Sequence, residues 1–378
     1  MAFRVVICRS NPIAPDPRVE KEANALSNSG YSVSVVGWDR TNRLCEYEER
    51  EGIRINRLAI QAGFARGIRN LPALLRWQAS LLSWLVRNRA DYDLIHACDF
   101  DTVLPAMICK KLLGKLVIYD IFDFYADHLR ATPEAIKKAI RFIDLKIIDW
   151  VDGVILADDS RKKQIRGTNP NALEVIYNTP QDIYGVLCKK EQKRRNGELH
   201  LAYIGLLQKE RGLLELIEVL SHHPEWKLDL AGFGGDEKEI TSLANTLANI
   251  TLHGRIQYDQ AIALSAKADV LIATYDPSIP NHRFSSPNKV FEAMMLGKPI
   301  VVARSTNMDK MIEEAQCGIV VNYGDMVALE AALSQLALNP SLRVQLGQNG
   351  RKAYETSYHW SIMESRLLGL YAEISGSA

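Results

Sequence analysis

At 378 residues the chain is long enough for two domains with substantial cores, and 47% hydrophobic with 24% charged residues is an ordinary soluble globular balance. A net charge of +1 excludes a dominant nucleic-acid footprint. The six cysteines (Cys8, Cys45, Cys98, Cys109, Cys188, Cys317) form neither a Cys-x-x-Cys pair nor a Cys/His cluster, which argues against structural zinc and for a reducing compartment.

The N-terminus enters a strand-like run, Arg4-Val5-Val6-Ile7-Cys8, too directly for a signal peptide, and no apolar run approaches the length of a membrane span. A cytoplasmic protein is expected. In the first half, strand patterns fall at 3–8, 32–37, 94–97, 116–119, 153–156 and 175–176, with helical patterns between them, such as 17–27 ahead of Gly30. Residues 52–90 contain no aspartate or glutamate but seven arginines (Arg54, Arg57, Arg66, Arg69, Arg76, Arg87, Arg89). Within them Leu71, Leu74, Leu75, Leu81, Leu82 and Leu85 form a helical stripe beside Trp77 and Trp84. The leucines suit a crossover helix packed on a sheet. The arginines and tryptophans suit peripheral contact with an anionic membrane surface.

The polar run Lys189-Lys190-Glu191-Gln192-Lys193-Arg194-Arg195-Asn196-Gly197 marks 181–198 as the expected linker between domains at 1–180 and 199–357. The alternation then restarts, with strand patterns at 201–204, 227–231, 250–253, 270–274, 300–302 and 318–321. The expected fold is α/β: two doubly wound, Rossmann-like units facing across a cleft, with ligands at the carboxyl ends of the strands.

Three strand-to-helix loops of the second half carry unusual residues. Ser285-Ser286-Pro287-Asn288-Lys289-Val290-Phe291-Glu292 opens a helix, with Ser286 expected at the N-cap and Pro287 at the first helical position. Lys289 then lies in a first turn already made positive by the helix dipole, a placement that makes sense if an anion binds there. Glu292, three residues on, shares its face, so a phosphate-binding cation sits beside a hydroxyl-binding carboxylate. A second loop, Gly205 to Gly212, sets Arg211 before a glycine at a helix start, which also suits a phosphate. The third, Gly232-Phe233-Gly234-Gly235-Asp236, reads as a tight turn rather than a dinucleotide fingerprint.

Taken in order, these loops resemble the C-terminal domain of the family 4 retaining glycosyltransferases, which have the two-domain GT-B fold. The resemblance rests on the Arg211-Gly212 loop, Gly232-x-Gly234, His253-Gly254-Arg255, the Pro287-x-Lys289-x-x-Glu292-Ala293 helix running to Gly297-Lys298-Pro299, and Cys317-Gly318 to Gly324-Asp325. Softer similarities in the first half are Asp16-Pro17-Arg18-Val19, Gly30-Tyr31, and Asp93 through His96 and Asp99 to Thr102. Tyr358-His359-Trp360 and the last helix, 358–378, resemble the segment that crosses back to the first domain.

The resemblance implies a hexosyl- or N-acetylhexosaminyltransferase with a nucleotide diphosphate-sugar as co-substrate and a glycan or lipid-linked acceptor, in polysaccharide or glycoconjugate synthesis. Arg211 and Lys289 would bind the diphosphate, Glu292 the ribose hydroxyls, and backbone near Arg255 and Ile256 the base, with Gly205 also on the donor side. Asn178 carries over as structural. Asp16, Arg18 and His96 would face the acceptor, although His96 is as readily a satisfied core histidine. The family's second glutamate is replaced by Phe284, its arginine after the first glycine by Leu206, and its active-site histidine by Phe122. Because the leaving phosphate can itself take the acceptor proton, Asp123 or Asp99 remains to position or deprotonate the hydroxyl. Asp91-x-Asp93 and Asp99-x-Asp101 arise easily by chance, and cationic diphosphate ligands make a metal unnecessary. A nucleotide-sugar epimerase and a catalytically silent donor-binding scaffold are the competing readings. A nicotinamide enzyme is disfavoured because Arg9 to Pro15 contains no glycine.

Overall fold

A computed structural model describes residues 2–63, 70–128, 132–187 and 197–376. They divide into two compact units: 1–177 with 363–378, and 178–362. Of the expected linker, residues 188–196 lie outside the described residues, and so do Arg66, Arg69 and Cys188. Asp182 is held within the second unit by Arg351 at 2.5 Å.

In the first unit the strands are β1 (Arg4–Arg9), β2 (Ser32–Asp39), β3 (Tyr47–Arg50), β4 (Ile53–Ala59), β5 (Leu94–Cys98), β6 (Leu116–Ile121), β7 (Gly153–Leu156) and β8 (Leu173–Val175). They form one sheet in the order β3-β4-β2-β1-β5-β6-β7-β8, parallel except for the antiparallel β3–β4 pair. That hairpin was not expected from the sequence. Its turn, Glu51-Gly52, has φ of 53° and 78°, as a two-residue hairpin with the right twist requires. β3 is a charged edge, Tyr47-Glu48-Glu49-Arg50, so it lacks the apolar alternation that signals a strand.

The helices Leu71–Arg87, Phe100–Leu113 and Glu134–Ile148 make the crossovers β4→β5, β5→β6 and β6→β7. These all move one way across the sheet, so right-handed connections put all three on the same face. There Trp77, Leu81 and Leu85 are fully buried, Trp77 stacks on Trp38 at 5.3 Å, and its indole N–H donates to the Asp101 carbonyl at 3.1 Å. The opposite face is covered by Pro17–Asn28 and by the last helix, Trp360–Gly376. Gly153 of β7 lies so close to that last helix that a Cβ would sit 2.5 Å from Ile374 Cδ1.

The second unit holds β9 (Leu199–Leu206), β10 (Trp226–Phe233), β11 (Ile250–Gly254), β12 (Val270–Ala273), β13 (Ile300–Ala303) and β14 (Gly318–Val321). All are parallel, in the order β11-β10-β9-β12-β13-β14. This is the dinucleotide-fold strand order, whose reversal between β9 and β12 opens a crevice at their carboxyl ends. In the first unit the same reversal falls between β1 and β5. The two sites grow from these two points.

Candidate functional site

In the second unit, Gly205, next to last in β9, has φ 156°, and a Cβ there would stand 3.3 Å from the Lys289 ammonium. Gly212, at φ 69°, would drive a Cβ to 2.4 Å from Thr274 Oγ1, so only glycine lets the turn Lys209–Arg211 seat against the end of β12. The Arg211 guanidinium lies 4.0 Å over the Tyr275 ring, and its Nε is buried without a hydrogen-bond partner.

Lys289 enters from the helix Asn288–Met295. That helix starts one residue later than expected. Pro287 is its N-cap with an extended ψ of 143°, and Ser286 does not cap it: the Ser286 hydroxyl is buried without a partner. Lys289 Nζ is also buried and makes no hydrogen bond among the described residues, although an ammonium offers three donors. Its neighbours are the faces of Tyr203, at 3.7 Å, and Tyr275, at 5.4 Å. Burial, reinforced by the Arg211 charge and partly offset by Glu292, pushes its pKa down to about 7. The Glu292 carboxylate acts on Tyr258, whose pKa is raised by burial and by that carboxylate.

Two cations with unused donors converge at the crevice of a Rossmann-order sheet. Such a site gains most from a ligand that carries negative charge on several oxygens. Arg255 is exposed, its guanidinium 4.6 Å over Phe233 at the end of the adjacent β10; Ile256, half-buried, leads into the helix Tyr258–Lys267. Tyr203, Tyr258 and Tyr275 were missed by sequence reasoning, because an aromatic near a strand end or helix start reads as core.

In the first unit a cavity of about 230 Å³ at the carboxyl ends of β1, β2 and β5 is lined by Arg9, Asn11, Arg40, Asp99, Asp101 and Asp123, among others. Asp99 has φ 64° and ψ 170°, a conformation almost confined to glycine. Its carboxylate pairs with Arg9 and accepts from the backbone N–H of Phe122 at 2.9 Å and of Asp123 at 3.3 Å. Burial raises its pKa, against the pull of Arg9. Asp123 pairs with Arg161 and keeps about a third of its side chain exposed (34%). Asp101, not singled out from the sequence as a site residue, lines the same cavity with a buried and unpartnered Oδ1, and burial pushes its pKa up to about 6. Phe122, where the resemblance implied a histidine, packs against two guanidinium groups, with its ring centroid 4.1 Å from that of Arg9 and 4.6 Å from that of Arg18.

Three expectations for the acceptor side are corrected. Arg18 is buried, donates to both Asp120 oxygens at 2.9 and 3.1 Å and to the Ile176 carbonyl at 2.7 Å, and so is consumed by the core. His96 is fully buried, with Nδ1 2.7 Å from the Tyr371 hydroxyl and Nε2 3.4 Å from Asp120, so it is the satisfied core histidine. Asp16 caps the helix Pro17–Asn28 by accepting from Val19 N and is held by Asn11 and Arg9; its carboxylate orders the loop. His96, Cys98 and Asp120 come close enough to suggest a metal, but the Arg18 guanidinium already supplies the positive charge facing Asp120. The basic segment 52–90 is corrected in part. Arg57 is buried, donating to the Pro12, Ile13 and Cys45 carbonyls and pairing with Glu48, and Trp77 belongs to the core.

Two family models match the chain: a glycosyl transferase 4-like domain over residues 15–179 and glycosyl transferases group 1 over 188–353. The phosphatidyl-myo-inositol mannosyltransferase of Mycobacterium leprae is 29% identical over 300 residues, spanning 78% of this chain and 76% of that one. Among solved structures, sucrose-phosphate synthase from Thermosynechococcus elongatus superposes with a TM-score of 0.80 at 16% identity, covering 100% of both chains. HepE from Anabaena, solved with UDP-glucose, gives 0.71 at 13% identity over 98% of this chain and 100% of that one.

Proposed function

This chain belongs to the family 4, group 1 glycosyltransferases and has their GT-B fold, and from that premise we propose that it moves a hexosyl or N-acetylhexosaminyl group from a nucleotide diphosphate-sugar to a glycan or lipid-linked hydroxyl, with retention of configuration. The observation that carries the reading is the buried Lys289 and Arg211 pair, with donors unspent, at the strand-order reversal of the second unit. Lys289 and Arg211 hold the diphosphate and stabilise the charge that grows on it as the bond to the sugar C1 breaks. Glu292 accepts from the ribose hydroxyls. The bonding pair leaves with the diphosphate oxygen, the acceptor oxygen bonds to C1 on the same face, and the acceptor proton passes to the departing phosphate.

On the acceptor side, Asp123 and Asp99 occupy one polar cavity, and Asp123, the more exposed, orients the hydroxyl. Two cations opposite the diphosphate take the place a divalent metal would fill, and turnover is expected to survive chelation. The setting is the cytoplasmic side of cell-surface polysaccharide or glycoconjugate synthesis. A second reading, a donor-binding scaffold without turnover, draws on Phe122 packing against two arginines where the resemblance implied a histidine.

Nucleoside diphosphate release from a panel of uridine, guanosine, adenosine and thymidine diphosphate-sugars, with glycan acceptors and a chelator present, separates the two readings. Transfer with retention, seen by proton NMR of the new linkage, is expected, with kcat reduced at least roughly a hundredfold in Asp123→Asn. Donor binding without consumption supports the scaffold, and unchanged turnover in Asp123→Asn removes its assigned role. Donor consumption without acceptor that yields an altered sugar would indicate the epimerase.

A further inference from the structure

In the run Arg161-Lys162-Lys163 the two lysines are exposed and the arginine is buried. The run lies in the tight turn Asp159–Lys163 that follows β7, capped by Asp158, which accepts from Ser160 N at 2.8 Å. Because β7 pairs with β6, this turn stands beside the loop Phe122-Asp123 that leaves β6, and the Arg161 guanidinium pairs with Asp123. Its Nη1 donates to the Gln164 side-chain oxygen at 3.1 Å. Gln164, also buried, donates through its side-chain nitrogen to Asp127 at 3.0 Å, and Asp127 faces Arg141 at 3.5 Å. Charges alternate along this chain, so the amide between them is satisfied in one orientation, oxygen to the guanidinium and nitrogen to the carboxylate.

Stability gives little reason for an arginine here. Burying a guanidinium is costly, and Arg161 Nε is buried without a hydrogen-bond partner among the described residues. An apolar side chain of similar volume would fill the space as well. What the arginine reaches explains it better. Asp123 lines the cavity of the first unit and Arg161 does not. The loop that carries Asp123 is already held along its backbone by Asp99, and the next residue, Phe124, is fully buried with Arg141 5.5 Å over its ring. The freedom that remains is rotation of the Asp123 side chain, and the pair with Arg161 removes it.

A guanidinium does not give up its proton, so the Asp123 carboxylate keeps a permanent cation on one side. Such a carboxylate suits accepting from a hydroxyl, and so orienting it, better than removing its proton. That agrees with passage of the acceptor proton to the departing phosphate. Resting on the transferase reading, we propose that Arg161 is a positioning residue: braced by Gln164 and Asp127, it fixes the Asp123 carboxylate at the cavity wall in the geometry that orients the acceptor hydroxyl. Neither Arg161 nor Gln164 touches the substrate; both act through Asp123.

A double-mutant cycle tests this, run with the uridine, guanosine, adenosine or thymidine diphosphate-sugar that wild type consumes and its glycan acceptor. Arg161→Met is expected to lower kcat by about tenfold or more with donor stabilisation of the second unit unchanged, and Arg161→Lys to recover part of the loss. In the Asp123→Asn background the same Arg161→Met change is expected to cost less than about twofold, because the group it positions is gone. Should Arg161→Met fail to fold, Gln164→Leu carries the test. There the ion pair remains but its bracing is lost, and a loss of about threefold is expected that likewise vanishes with Asp123→Asn. An equal loss in the wild-type and Asp123→Asn backgrounds, or full turnover in the variant, overturns the proposal and leaves the transferase reading intact. No turnover by wild type with any of the four donors overturns that reading and the proposal with it.

Discussion

An ammonium buried beside a guanidinium, with tyrosine faces for neighbours, is poorly solvated in its charged form, and the Lys289 pKa is accordingly pushed from 10.5 down to about 7. In the unfolded chain it returns to the ordinary value, so stability carries a term that rises with pH between about 7 and 10.5. A diphosphate reverses the balance by favouring the charged lysine, so binding above pH 7 takes up a proton. Affinity for a nucleoside diphosphate should therefore fall as pH rises above 7, by up to about tenfold per unit. Lys289→Arg, which stays charged, should flatten that slope; calorimetry in buffers of different ionisation enthalpy measures both. Lys289, Glu292 and Arg211 were legible in the sequence because their spacing against the helix start and glycines has physical meaning. Tyr203, Tyr275 and Asp101 were not, because their roles depend on which side chains meet at a strand end, and periodicity does not encode that. Arg18 was misplaced, and His96 left open between core and acceptor, for the same reason: a polar residue on an element can face the cavity or the core, and partners such as Asp120 and Tyr371 decide.

Among elements, the parallel strands were legible as apolar runs because both faces of such a sheet are buried. The β3–β4 hairpin was not, since its outer strand is charged and its turn depends on Glu51 adopting a positive φ. The leucine stripe of Leu71–Arg87 reads as a crossover helix, and Leu81 and Leu85 are buried as that requires, while Leu71 and Leu75 stay exposed; of the basic residues of 52–90, Arg57 in the preceding strand goes to the core and Arg76 to the surface. The turn that carries Arg211 makes a sharper claim. Gly212→Ala combines a left-handed φ with a clash against Thr274, and should cost about 1–3 kcal/mol in urea denaturation. Gly235→Ala, where the added methyl meets nothing within 4 Å and φ is not left-handed, should be near neutral. Equal effects of the two would contradict the assigned backbone requirement.

At the scale of the whole chain, the restart of the strand pattern after a polar run made two α/β units legible. The return of residues 363–378 to the first unit rests on contacts such as Tyr371 with His96 and Ile374 with Gly153, which join positions hundreds of residues apart. What the chain does depends on whether the strand-order reversal of the second unit is a diphosphate site. Isothermal titration at pH 7 with chelator present, using the nucleotide diphosphate-sugar that most raises the melting temperature, tests this directly. Wild type should bind, while Lys289→Ala and Arg211→Ala should each lose at least about tenfold in affinity, as expected for removal of a charge-assisted contact worth roughly 1.5–3 kcal/mol. Undiminished affinity in both folded variants would contradict it.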